Sequence, residues 1–193
     1  MEKVRVAIFA SGTGSNALNL IRYFKNHQKI EVAFVLSNRS QAPIVSTAKE
    51  EGTKVLVFTN DELKNGDLLT SVCEAENVSW IVLAGYLRLI PALFIQAFES
   101  RIINLHPSLL PKYGGKGMHG MNVHKAVLEN NELESGITIH HVNEKFDDGE
   151  IIAQFKCSLT LDSTLEELQK KISLLEQENL PMVVERTVTK LMG

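Results

Sequence analysis

The stretch Arg101-Ile102-Ile103-Asn104-Leu105-His106-Pro107-Ser108-Leu109-Leu110-Pro111-Lys112-Tyr113 sets an apolar run directly before two polar side chains and a proline. Strand side chains alternate between faces, so Asn104 and His106 share one face while Leu105 takes the other. Pro107 has no backbone donor and a fixed φ, which predicts that the strand stops there with His106 at its carboxyl edge. Open α/β sheets bind ligands at that edge, so the stretch speaks for a fold and a site together.

Working outward, apolar runs at 4–10, 31–36, 54–58, 80–83 and 102–105 alternate with helix-like segments at about 15–26, 42–51, 61–77 and 91–98. Continuous apolar strands between amphipathic helices predict an α/β fold, a doubly wound, mostly parallel sheet flanked by helices. Gly52 marks the end of the second helix. Beyond Tyr113 the pattern changes. Gly114-Gly115-Lys116-Gly117 reads as a flexible loop, 119–130 as a helix, and 137–142 and 151–155 as strands around the polar loop 143–150. Ser163-Thr164-Leu165-Glu166 looks like a capping box, and Leu165, Leu168, Ile172 and Leu175 recur at helical spacing, with Pro181 expected to kink or restart that helix.

The chain has 193 residues, 44% of them hydrophobic, which suits a single domain over 1–193. A net charge of -3 with dispersed Lys and Arg offers no footprint for nucleic acid or an anionic membrane, which favours small-molecule partners. The apolar run at 4–10 is too short to cross a membrane and leads into a glycine turn rather than a cleavage site, so a cytoplasmic protein is expected. Cys73 and Cys157 show no CxxC spacing and fall in apolar elements, where buried, reduced thiols are expected.

Ser11-Gly12-Thr13-Gly14-Ser15-Asn16-Ala17 follows the first strand and opens a helix. The acidic residue that a dinucleotide site needs after the second strand is replaced by Ser37-Asn38-Arg39, which argues against NAD. Taken alone, the loop is either a phosphate cradle, built from free N–H groups and a helix dipole, or an ordinary tight turn with Ser15 as N-cap. The loop Lys145-Phe146-Asp147-Asp148-Gly149-Glu150 could bring a carboxylate back to the strand end that carries His106. An amide donor, an imidazole and an orienting carboxylate would then meet. Ser108 lacks the setting of a nucleophile elbow. His119, His124, His140 and His141 match no zinc spacing, so no metal is expected, and only one of His140 and His141 can face the site.

These motifs, with Leu83-Ala84-Gly85-Tyr86-Leu87-Arg88 and the segment 136–149, resemble the folate-dependent formyltransferases along nearly the whole chain. The resemblance implies their Rossmann-like fold, with Asn104, His106 and Asp147 as the catalytic trio and His140 as a further site histidine. It implies phosphate contacts from Gly14, Ser15 and Asn16, and acceptor contacts from Gly85 and Glu176. Arg88, Leu89, Ile90, Ile95 and Val142 would form the folate-side wall. The implied chemistry is formyl transfer from 10-formyltetrahydrofolate as cosubstrate to the amine of glycinamide ribonucleotide, by a monomer or homodimer without metal, nucleic acid or membrane. Relatives that act on tRNA or hydrolyse formyltetrahydrofolate carry an additional domain, and with 193 residues neither of those activities is expected here. A non-catalytic nucleotide- or folate-binding module is the alternative if the trio does not converge. The chain departs from the family at Gly114-Gly115-Lys116-Gly117-Met118, where a short proline-containing link is usual, and at Ser173 and Gln177 on the last helix.

Overall fold

The computed structural model describes residues 3–190. A seven-stranded sheet with the order β3-β2-β1-β4-β5-β6-β7 runs through the molecule. Its parallel part is β1 (Val4–Phe9), β2 (Ile30–Ser37), β3 (Val55–Val57), β4 (Trp80–Leu83) and β5 (Ile102–His106). β6 (Glu134–His141) and β7 (Ile151–Ser158) extend it antiparallel, with Asn104 paired to His140 and His106 to Thr138. Parallel strands need both faces covered, which is why β1 and β4 read as near-continuous apolar runs. Helices α1 (Ser15–Phe24), α2 (Pro43–Glu50), α5 (Met121–Glu129) and α6 (Leu165–Thr189) pack on one face around Ile8, Val82 and Ile103. α3 (Asp67–Ala75) and α4 (Ala92–Ala97) cover the other, around Phe9, Ile81 and Ile102. β1 pairs with β2 on one side and β4 on the other, so the strand order reverses between β1 and β4. Ligands of doubly wound sheets bind at that switch point.

Four local expectations are corrected. α3 starts at Asp67 rather than 61, because Glu62 Oε2 accepts from both the backbone N–H and the hydroxyl of Thr59 and holds the intervening chain in turns. The capping box is Thr164 with Glu167, one residue later than expected, since Ser163 Oγ is engaged by the Thr160 N–H. α6 runs unbroken through Pro181. A proline leaves the carbonyl four residues earlier without its helical partner, and here that carbonyl, of Gln177, accepts instead from Asn19 Nδ2 of α1 at 2.7 Å. Cys73 is buried, its thiol pushed up to about 12 by that burial, but Cys157 is only half-buried because β7 is an edge strand; both are free thiols. Among the described residues, no helix is long and apolar enough to cross a membrane.

Candidate active site

A cavity of about 530 Å³ opens at the carboxyl ends of β1, β4 and β5. It draws Leu83, Ile90 and Ile95 from the core on one side of the sheet and Leu105 and Ile172 from the other, so it straddles the sheet edge.

His106, 4% exposed, ends β5 and donates through Nε2 to the carbonyl of Tyr113 at 2.8 Å. That bond requires a hydrogen on Nε2 and leaves Nδ1 to face Asp147 Oδ1 at 3.5 Å. Asp147 is anchored from behind, its Oδ2 accepting from the Gly115 N–H at 2.9 Å. What turns the 143–150 loop inward is backbone contact: a Cβ on Gly149 would collide with the carbonyl oxygen of His141, and only glycine admits so close an approach. Asp148, one step on, is exposed beside Lys145 and takes no part.

Asn104 sits one pleat before His106 on the same face. Its Nδ2 donates to His140 Nε2 at 3.0 Å, while His140 Nδ1 donates to the His141 carbonyl at 2.7 Å. The two bonds define one tautomer, Nδ1 protonated and Nε2 accepting, and burial keeps His140 below its ordinary pKa and hence neutral. His140 therefore fixes the amide of Asn104 with its second N–H uncommitted. His141 points away and packs against Trp80. Ser108 is fully buried and donates to the Lys112 carbonyl, a turn-closing bond rather than a nucleophile's setting.

At the start of α1 no side chain caps the helix. Thr13, Ser15 and Asn16 line the cavity there, but Gly14 does not. Gly14 is itself the N-cap, where Ser15 was the alternative, at φ +73, and a Cβ on it would meet the Ile44 side chain at 2.5 Å. Its need for glycine thus comes from the turn and from packing on α2, and a larger residue would press into the core rather than into the cavity. Asn16 Nδ2 donates to Glu176 Oε2 at 2.9 Å, and burial raises the Glu176 carboxyl above its usual range despite that bond. Gly85, Arg88, Leu89, Ile90, Ile95 and Val142 all line the cavity. Of the two departures on α6, Ser173 lines it and Gln177 turns outward, donating to Ser173 Oγ at 3.2 Å.

Sequence reasoning missed the wall formed by Met118, His119, His124 and Gln169. Both histidines drew notice only as metal ligands, and the wall joins the 114–120 loop, α5 and α6, elements far apart in sequence with no local pattern between them. His124 is buried and below its ordinary pKa through burial. Among the described residues, no group of three or more His, Cys, Asp or Glu side chains could hold a metal ion.

An amide, an imidazole and a carboxylate meet in one cavity with an uncapped helix start, at the switch point of a doubly wound sheet, the kinds of group that can stabilise an oxyanion and move a proton. The formyl transferase family profile matches residues 4–184, and the chain belongs to that family. A chloroplastic phosphoribosylglycinamide formyltransferase of Arabidopsis thaliana is 39% identical over 180 residues, which cover 87% of this chain and 60% of that protein. The phosphoribosylglycinamide formyltransferase of Haemophilus influenzae is 31% identical over 185 residues, 93% of this chain and 85% of that protein. The solved structure of a phosphoribosylglycinamide formyltransferase from Bacillus halodurans superposes with a TM-score of 0.87 at 33% identity, covering 97% of this chain and 96% of that one. The chain spans 60% of the length of that Arabidopsis protein and 61% of the length of a chloroplastic phosphoribosylglycinamide formyltransferase of Vigna unguiculata, to which it is 38% identical over 191 residues, 96% of this chain.

Proposed function

We propose that this chain transfers a formyl group from 10-formyltetrahydrofolate to the primary amine of 5'-phosphoribosylglycinamide, giving formylglycinamide ribonucleotide and tetrahydrofolate, a step of de novo purine biosynthesis. The observation that carries the reading is the convergence of Asn104, His106 and Asp147 in one cavity whose walls differ in chemistry. The α1 start, with Ser15 and Asn16, suits a phosphate, since free N–H groups and the helix dipole both favour an anion. The backbone of Gly85 and the Glu176 carboxylate suit the glycinamide and ribose. Leu89, Ile90, Ile95 and Val142 offer an apolar slot for a pterin ring, with Arg88 at its rim.

Attack of the amine on the formyl carbon makes a C–N bond and turns the carbonyl oxygen into an oxyanion. The free N–H of Asn104 is a donor for that charge, joined by His106 once its Nδ1 has received the proton that the amine gives up, and removing one such donor costs roughly 100- to 1000-fold in rate. Because Nε2 is committed to Tyr113, the proton exchanged with the reacting atoms travels on Nδ1. Asp147 orients that nitrogen and takes up the proton the amine releases, directly or through water. The proton passes from Asp147 to His106 Nδ1 and on to the folate nitrogen as collapse of the intermediate breaks the bond between that nitrogen and the formyl carbon. No covalent bond to the protein forms.

The protein should act as a monomer or homodimer on these two small molecules in the cytoplasm. The test is to incubate it with 10-formyltetrahydrofolate and each of several amine acceptors, following tetrahydrofolate release. Turnover should be confined to the phosphoribosyl acceptor. Transfer to an unphosphorylated glycinamide riboside at the same rate would remove the phosphate assignment, and no transfer to any acceptor would leave a binding module.

A further inference from the structure

Catalytic imidazoles need a fixed tautomer, and here the group that fixes it is a backbone carbonyl on a loop, that of Tyr113. Two features make this carbonyl unusual. Tyr113 stands in the left-handed region at φ +57, a conformation costing a bulky residue of order 1 kcal/mol or more unless its surroundings hold it. Its neighbour but one, Gly115, supplies the N–H that anchors Asp147, so one short segment carries the partners of two members of the trio.

What holds the segment lies outside the cavity. Glu132 Oε1 accepts from the Tyr113 hydroxyl at 2.9 Å, and its two oxygens accept from Lys112 Nζ at 2.9 and 3.2 Å. Glu132 is itself rigidly placed. Past the end of α5, Asn131 adopts φ +51, its N–H bonds to the Leu128 carbonyl, and the Glu132 N–H reaches back to the Val127 carbonyl at 3.3 Å, the pattern of a Schellman motif. Burial and the Glu132 carboxylate push the Tyr113 hydroxyl up to about 12, so it remains a donor throughout the working range.

We propose that Glu132 is a positioning residue for formyl transfer: through the Tyr113 hydroxyl it holds the strained 112–115 segment in the one arrangement that keeps His106 protonated on Nε2 and Nδ1 aimed at Asp147. The inference rests on the catalytic reading of His106 given above. The path is continuous, from the end of α5 to Glu132, to Tyr113, to His106, and no member but the last touches substrate.

The test uses protein labelled with 15N in histidine, with Glu132→Ala, Glu132→Gln and Tyr113→Phe. Glu132→Ala and Tyr113→Phe should move the His106 ring-nitrogen signals away from a pure Nε2–H tautomer. Both should lower kcat about tenfold, as small misplacements of catalytic groups do, with KM for each substrate held within about twofold. Glu132→Gln, which keeps an acceptor for the hydroxyl, should restore both readouts. Thermal melts identify any loss due to unfolding, and Tyr113→Phe retains the Glu132–Lys112 pair and so the fold of the turn. Unmoved His106 signals in both variants overturn the proposal, as do moved signals with unchanged kcat, or losses confined to KM. A parent protein with no formyl transfer would sink the activity reading alone, because the ring signals still report whether Glu132 sets the tautomer.

Discussion

In Glu176→Gln, the carboxylate that accepts from Asn16 Nδ2 at 2.9 Å becomes a neutral amide of the same shape. Burial pushes the Glu176 carboxyl up and the Asn16 hydrogen bond pulls it down, with burial the larger effect, so folding penalises the charged form relative to the unfolded chain. The sign for stability follows from linkage. A carboxyl whose folded pKa lies above its unfolded value carries no penalty at pH below the unfolded value, accrues one as pH rises through the interval, and bears it in full above the folded value. Glutamine never bears it. The variant should therefore melt higher than its parent at pH 8, with the gap closing toward acid pH; scanning calorimetry resolves the effect, because 1 kcal/mol shifts Tm by about 2–4 °C at this chain length. Function should move the other way. Losing a hydrogen bond to a charged group costs about 1.5–3 kcal/mol, or roughly ten- to a hundredfold in acceptor affinity, with little change for the folate. An unchanged KM for the acceptor, or a variant less stable than its parent at pH 8, would refute the reasoning.

Two other perturbations bear on the site. His106→Ala or Asp147→Asn should cut turnover by about two or more orders of magnitude while far-UV circular dichroism stays unchanged, since the lost interactions belong to the transition state; near-parental turnover in either would remove the trio from the mechanism. Gly14→Ala should destabilise by about 1–3 kcal/mol, because its Cβ enters the Ile44 side chain at 2.5 Å from a left-handed backbone, while Gly12→Ala, which faces open space, should be near neutral in urea unfolding. Equal midpoints for the two variants would contradict the packing role given to Gly14.

Features with a local period were readable in the chain. The strands carrying Val82 and Ile103 announce themselves as apolar runs, and the parity that sets Asn104 and His106 on one face is a property of the pleat alone. The folate-side wall and the trio were legible only through the resemblance, since nothing in residues 143–150 says which of Asp147 and Asp148 turns inward. That choice depends on the contact between Gly149 and the His141 carbonyl, two loop ends that pattern cannot bring together. The same limit hid the wall from Met118 to His124. Cap positions failed for a different reason: Ser163 and Thr164 are both competent caps, and the Thr160 N–H, outside the motif, decided between them.

The proline in α6 acts beyond its own helix. Asn16, Asn19 and Tyr23 step along α1 and meet Glu176, the Gln177 carbonyl and Glu185 on α6 in the same order. Only the middle rung depends on a vacancy, for a residue with an N–H at 181 would keep the Gln177 carbonyl within its own helix. The gap works like the missing tooth of a timing wheel, marking the one place along α6 where α1 can read it. Glu176 lies one residue before that mark and Asn16 three before Asn19, so the spacing of the acceptor end of the cavity is gauged by a hydrogen bond that the helix is unable to make for itself.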